Sequence, residues 1–340
     1  MQSPIVSNYK SSHTLFTEIF ENKKTQEEIS NILTELTLEN LQKNKTYSEN
    51  FVEIVAGAAD AMREHAVPVH CDKETFDVCG TGGSGNSKPF NISTTSSLII
   101  ASQNVCVAKH GNRAASSKSG SADVLEALQL NLAQTPPEMS ESLKNNNMAF
   151  LFAQVLHPAM KYIMPIRKEI GVPTIFNIMG PLTNPSNPTR QVTGVSKREF
   201  VLPMAQILQK LGRKSAIVLF GEDGLDDATI CGKTYFAQFT EEKPEIEQGY
   251  FSPEQFGFLP RIASEIKGGK DTTENAEIML NILNGRHTGA KRDIVLFNAG
   301  IAFYISRKTG SIEEGIALAE KAIITGDALR LLQKLQKLQK

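Results

Sequence analysis

Thr75-Phe-Asp-Val-Cys-Gly-Thr-Gly-Gly-Ser-Gly85 decides the fold class: a short apolar run breaks into glycines, and a helix start follows at Asn91-Ile-Ser-Thr-Thr95. A strand that turns through glycine into a helix is the first half of a βαβ unit. Glycine alone reaches positive φ cheaply and lets main-chain amides close on a ligand. Amides of that kind, together with a helix N-terminus, make an anion site. The spacing fits neither the Rossmann nor the Walker A pattern, so by itself the loop reads equally as a tight turn or a phosphate cradle.

Working outward, Thr75–Cys79, Val105–Lys109, Thr174–Asn177, Ser215–Phe220 and Thr234–Phe239 are predicted strands. Helices are predicted between them, for example over Ser119–Leu128 and Phe200–Leu211. Short apolar runs alternating with longer helical stretches predict an α/β fold with a central, mostly parallel sheet. Pro181, Pro185 and Pro188 mark a loop, and Leu329–Lys340 reads as an amphipathic terminal helix with a solvated lysine face. No internal repeat is present.

Upstream, residues 1 to about 68 read as helical. Leu15, Phe16, Ile19 and Phe20 keep helical spacing, and Thr25 with Glu28 forms a capping-box pattern before Ile29, Ile32, Leu33 and Leu36. A further helical run, Phe51–Met62, carries Ala56, Ala58, Ala59 and Ala61. Such small residues let helices approach closely, either inside one chain or between subunits.

The 340 residues suffice for two domains. Lys and Arg total 36 against 37 for Asp and Glu, which argues against a dedicated nucleic-acid binder. The N-terminus lacks the charged start and apolar core of a secretory signal, and no stretch approaches a membrane span. Cys71, Cys79, Cys106 and Cys231 are scattered, as in reduced thiols. A cytoplasmic protein with no membrane partner is the expectation.

The densest chemistry lies in Lys109-His-Gly-Asn-Arg-Ala-Ala-Ser-Ser-Lys-Ser-Gly-Ser-Ala-Asp123, which packs cations, hydroxyls and glycines behind a strand. Amide, hydroxyl and ammonium donors suit a multiply charged phosphate. An exposed polar loop is the plainer reading, and the helix start at Ser119–Asp123 weighs against it.

With Gly80-Thr-Gly-Gly83, Asn91-Ile-Ser-Thr94, Lys109-His-Gly-Asn-Arg113, Ser119-Gly-Ser-Ala-Asp123 and Gly180-Pro-Leu-Thr-Asn-Pro185 in this order, the chain resembles the anthranilate phosphoribosyltransferases from about Phe51 onward. The resemblance implies a nucleoside phosphorylase/phosphoribosyltransferase-like fold. It would comprise a small helical domain, residues 1–70 joined by part of 158–190, and a larger α/β domain over 71–340. It also implies a homodimer through the helical domain, magnesium as the metal, and phosphoribosyl pyrophosphate and anthranilate as substrates.

Position by position, the resemblance implies that Gly80, Thr81, Gly82 and Gly83 wrap the sugar-phosphate of the donor. Asn91, Ser93 and Thr94 would hold its pyrophosphate, Lys109 would neutralise charge, and Ser121 would add a hydroxyl. Asn112, His157, Arg167 and Pro181, with Gly80, would line the anthranilate site. Asp226-Asp227 falls where the family carries an Asp-Glu magnesium pair, with Ser93 as a further ligand. Adjacent carboxylates repel by roughly 3 kcal/mol at ~5 Å and an effective dielectric of about 20, a cost that a divalent cation removes. Oxygen-only ligands suit magnesium. His157 and Arg167 stand ten residues apart, about 15 Å along a straight helix, so they mark different stretches of an acceptor channel. Arg167 is the carboxylate binder by geometry.

The demand of the implied reaction is to stabilise departing pyrophosphate charge by fixed donors and positioning. No general base is nominated, because an aromatic amine is already nucleophilic, and His110 reads as structural or acceptor-side. Three positions depart from the family pattern: Ser84 for Asp, with a longer Gly85–Phe90 loop, Asp227 for Glu, and Gln129 where a helix commonly ends in Gly. A relative acting on another aromatic amine and a non-catalytic nucleic-acid-binding paralogue stay open at this point.

Overall fold

The computed structural model describes residues 5–44, 48–83, 89–114 and 119–338. Ser84 and most of the longer loop after it lie outside the described residues. Seven strands form one sheet in the order β3-β2-β1-β4-β5-β6-β7. These are β1 Phe76–Gly80, β2 Val107–Gly111, β3 Met148–Phe152, β4 Arg190–Gly194, β5 Ser215–Gly221, β6 Thr234–Phe239 and β7 Glu247–Phe251. The first five run parallel, and β6 and β7 are antiparallel. The mostly parallel α/β expectation is met.

β5 shows why a central strand of such a sheet reads as an unbroken apolar run. Ile217 and Leu219 enter one core with α5 (Ile92–Ser102) and α13 (Ala290–Ile305), while Ala216 and Val218 enter a second core on the opposite face. Helices cover both faces, so neither side of the strand can be polar. The second core also holds α1 (Tyr9–Phe20), α2 (Gln26–Glu35), α4 (Phe51–Glu64), α9 (Met160–Ile170) and α11 (Val201–Lys210). Between α2 and α4 runs the short α3, Leu38–Lys43.

The Thr25–Glu28 capping box forms as read, with the Thr25 amide donating to Glu28 Oε2 at 2.7 Å and the Glu28 amide to Thr25 Oγ1 at 3.2 Å. Ala56, Ala58, Ala59 and Ala61 are all fully buried within this one chain, against α1 and α11. Their small size therefore serves intrachain packing. The terminal helix spans Asp327–Lys337, buries Leu331, Leu332 and Leu335, and leaves Lys334 and Lys337 in solvent.

One predicted strand is wrong. Thr174–Asn177 forms only an isolated bridge from Thr174 to Thr37, and Phe176–Met179 is a short helix, α10. Asn177 Oδ1 accepts the Thr174 amide at 3.0 Å, a local bond that closes a helical turn in place of a ladder. Pro158 sits in the turn before α9 and not in its first turn. Three strands went unread, Met148–Phe152, Arg190–Gly194 and Glu247–Phe251; the first is a five-residue apolar run that a buried helix would match equally well.

Candidate active site at the switch point of the sheet

β1 lies between β2 and β4, so the strand order reverses direction at the β1–β4 pair, and ligands of open α/β sheets bind beyond the carboxyl ends of strands at such a point. Gly80 ends β1 directly opposite Gly194 at the end of β4. The loop after β5 lays Asp226 across both. A Cβ on Gly80 would overlap the Asp226 carboxyl, and one on Gly194 would overlap its main chain. The Gly82 amide donates to Asp226 Oδ2 at 2.9 Å. Gly82 and Gly83 take φ of +74° and +84°, the conformation for which glycine was read here. Thr81 joins β4 through its amide to the Gly194 carbonyl, 2.9 Å, and its Oγ1 accepts the Ser196 amide at 3.2 Å. The glycine loop and the acidic pair, far apart in sequence, are one unit.

Asp227 is half-buried, and the protein packed around it, then the charge of Asp226, push its carboxyl well above the usual carboxylate range. Lys109 opposes this. Its own side chain is buried and donates to the Val78 carbonyl at 2.6 Å. Burial lowers the Lys109 pKa, while Asp77, Cys79, Asp227 and Asp226 raise it. An oxygen-only carboxylate pair whose negative charge is under-compensated fits a hard divalent cation. Among the described residues no cluster of three or more His, Cys, Asp and Glu converges on one point. The remaining ligands would come from hydroxyls such as half-buried Ser93, from water and from substrate.

The helix that follows β1 is α5, whose first residues after Asn91 are Ile92, Ser93 and Thr94. Asn91 makes no side-chain cap. Its Nδ2 donates to the Ser119 carbonyl at 3.2 Å, and its buried Oδ1 has no partner among the described residues. The Ser119–Asp123 segment starts α6, Ser121–Ala127, where Asp123 Oδ2 accepts the amides of Gly120 at 2.8 Å and Ala114 at 2.9 Å. Ser121 Oγ donates to the Asn112 carbonyl at 3.3 Å, and Gln154 Nε2 donates to Asn112 Oδ1 at 3.3 Å. Thr94 is buried.

Among the residues expected to line the acceptor channel, His157 Nε2 lies 3.2 Å from His110 Nε2, and His110 Nδ1 lies 3.1 Å from the Gly180 carbonyl. A carbonyl only accepts, so His110 carries its proton on Nδ1 and His157 donates from Nε2. Burial lowers the His110 pKa, and burial with the neighbouring His110 pushes His157 down to about 3. Both rings are neutral. Arg167 makes no bond to His157. Its guanidinium stacks over Phe176 at 5.4 Å, reaches Asn177 Oδ1 at 3.4 Å, and has no carboxylate partner among the described residues. Burial lowers its pKa.

Beneath the Gly180–Pro185 turn runs a buried polar network that the sequence reading missed. Gln191 Nε2 donates to the Pro181 carbonyl at 2.6 Å, and its Oε1 accepts Arg213 Nε at 3.0 Å. Asn184 Nδ2 donates to Asp77 Oδ2 and to the Ala108 carbonyl, each at 2.8 Å. Gln191, Thr193 and Asp77 have no solvent exposure. The available signal was Gln191 and Thr193 at alternate positions about Val192, and Asp77 between Phe76 and Val78. An open groove of about 760 Å³, lined by residues such as Lys243, Tyr304, Arg307 and Glu314, touches none of the nominated residues.

Residues 72–329 match the family model described as glycosyl transferase family, a/b domain. The anthranilate phosphoribosyltransferase of Lacticaseibacillus casei is 43% identical over 327 residues, covering 96% of this chain and 92% of that protein. That of Bacillus thuringiensis is 48% identical over 284 residues, 83% of this chain and 82% of that one. Among solved structures, the Thermus thermophilus anthranilate phosphoribosyltransferase superposes with a TM-score of 0.88 at 35% identity, over 98% of this chain and 95% of its own. The Saccharomyces cerevisiae enzyme in complex with PRPP and Mg gives a TM-score of 0.84 at 25% identity, over 97% and 93%.

Proposed function

This chain belongs to the anthranilate phosphoribosyltransferase family, and we propose that it moves the phosphoribosyl group of phosphoribosyl pyrophosphate onto the amine of anthranilate, releasing pyrophosphate, in tryptophan synthesis. The observation that carries the donor half is Asp226 clasped by Gly80, Gly82 and Gly194 at the switch point. The acceptor half rests on Arg167, a half-buried cation with no carboxylate partner among the described residues.

Gly80, Thr81, Gly82 and Gly83 wrap the sugar-phosphate, with the Thr81 and Gly82 amides committed to Gly194 and Asp226, and Asn91, Ser93 and Thr94 present the positive end of α5 to the pyrophosphate. Asn91 Oδ1, buried and without a partner among the described residues, would accept from a ligand hydroxyl. Ser121 adds a hydroxyl. Lys109 stays behind the carboxylates and holds their charge in place. Asp226, Asp227 and Ser93 would hold magnesium, which when bound offsets the negative charge of the departing pyrophosphate. On the acceptor side, Arg167 pairs with the anthranilate carboxylate, and Asn112, His157, Pro181 and Gly80 line its path. The neutral His110–His157 pair orients the Gly180 turn and removes no proton. Catalysis is then positioning and electrostatic stabilisation.

The same reading takes residues 1–70 with part of 158–190 as one lobe and 71–340 as the other, supported by the packing of α9 against α2. It includes a homodimer through the helical lobe and a cytoplasmic setting; no helix among the described residues is long and apolar enough to cross a membrane.

The test follows loss of anthranilate fluorescence with phosphoribosyl pyrophosphate across a magnesium titration. Magnesium-dependent turnover that falls at least tenfold in Arg167→Ala and in Asp226→Ala supports both halves of the site. A folded protein that consumes no anthranilate at any magnesium concentration overturns the reading.

A further inference from the structure

Two thiols outside the site lie together. Cys71 Sγ is 3.8 Å from Cys106 Sγ, across 35 residues of sequence. Cys106 is buried immediately before β2, held by its carbonyl to the Phe76 amide at 2.8 Å. Cys71 is partly exposed, in the irregular stretch between α4 and β1. Both pack in a small apolar cluster with Val69, Met139 and Leu143.

We propose that Cys71 and Cys106 are an oxidisable pair that closes an intramolecular disulfide on meeting a small-molecule disulfide. A disulfide bond is about 2.05 Å long, so the sulfurs must approach by ~1.8 Å. Cys71 can supply that movement, because it belongs to no helix or strand, whereas Cys106 is anchored to β1. The exposed Cys71 thiolate attacks the reagent R–S–S–R, forming a mixed disulfide and releasing RS⁻. The Cys106 thiolate then attacks Cys71 Sγ and releases the second RS⁻. Two protein thiols are oxidised, one reagent disulfide is reduced, and the two thiol protons end on the two RSH. In the dithiol state burial, and then the charge of Cys71, push the Cys106 thiol up to about 12, and the nearby Lys73 ammonium opposes that shift.

The bridge forms at the amino end of β2, five residues and roughly 16 Å from Gly111 at its carboxyl end, so it touches no proposed ligand contact. It would fasten the connector between helical and α/β parts to the central sheet. The constraint acts mainly on the unfolded chain.

The experiment treats the full-length protein with oxidised glutathione, alkylates the remaining thiols, and maps the peptides by mass spectrometry. The expected result is a loss of about 2 Da, a peptide joining Cys71 to Cys106, and a melting temperature higher by about 3–5 °C, all reversed by dithiothreitol. Cys71→Ser, a change at a partly exposed position, should fold, match wild-type melting when reduced, and gain neither bridge nor shift. A persistent glutathione adduct on Cys71, four alkylated cysteines, or a bridge to Cys79 or Cys231 would overturn the proposal.

Discussion

The main chain of Asp226 rests against the Cα of Gly194, closer than any residue bearing a Cβ would permit. Gly194→Ala must therefore push the acidic loop off the end of β4, while the strand itself keeps its ladder to β1 and β5. The expected outcome is native-like circular dichroism with kcat/KM reduced by about 100-fold or more, near 3 kcal/mol, and a higher magnesium requirement. Wild-type turnover at wild-type magnesium would show that the Asp226 position is not needed.

The neutral histidine pair makes stability depend on pH. Both folded imidazoles have depressed pKa values, His157 to about 3, against roughly 6.5 in an unfolded chain. Below pH 6.5 the unfolded chain takes up protons that the folded rings refuse. Stability is thus fully present above that pH and falls below it, for His157 down to about pH 3 at up to about 1.4 kcal/mol per pH unit. Melting temperatures between pH 4 and 7 should fall less steeply in His157→Gln than in the wild type. Parallel curves would place the acid sensitivity elsewhere.

Gln191 supports the Pro181 turn from below. Gln191→Leu leaves the Pro181 carbonyl and Arg213 Nε, both buried, without their partner, and should cost about 2–4 kcal/mol of stability. If the bond also sets the acceptor turn, KM for anthranilate rises several-fold while KM for phosphoribosyl pyrophosphate stays within twofold. Equal changes in both would mean that Gln191 serves stability alone.

Gln129 ends α6 at φ +62°, and Leu130 N returns to the Leu125 carbonyl at 2.9 Å, a left-handed helix stop carried by a side-chain-bearing residue. Gln129→Gly relieves that strain and should stabilise the chain by about 0.5–1 kcal/mol, read as a raised melting temperature with unchanged turnover. An unchanged or lower melting temperature would show that the Gln129 side chain offsets the strain.

By itself the sequence determined the α/β class, the Thr25–Glu28 cap, the helices that bury Phe16 and Ile29, and the run of motifs that marks the family. These are local properties: turn chemistry, helical period and caps are decided by residues a few positions apart. Even the need for glycine at Gly82 and Gly83 is of that kind, since a positive φ belongs to one residue. Only the tertiary structure decided that Asp226 leans on Gly80 and Gly194, that His110 joins His157 to Gly180, and that Gln191 and Asp77 hold the Gly180–Pro185 turn. It also decided against the strand at Thr174–Asn177, where a side-chain bond from Asn177 outcompetes the ladder. The physical reason is close packing between segments far apart in the chain: a Cβ that does not fit and a buried carbonyl that needs a donor are facts about neighbours, and neighbours are set by the order of strands in the sheet.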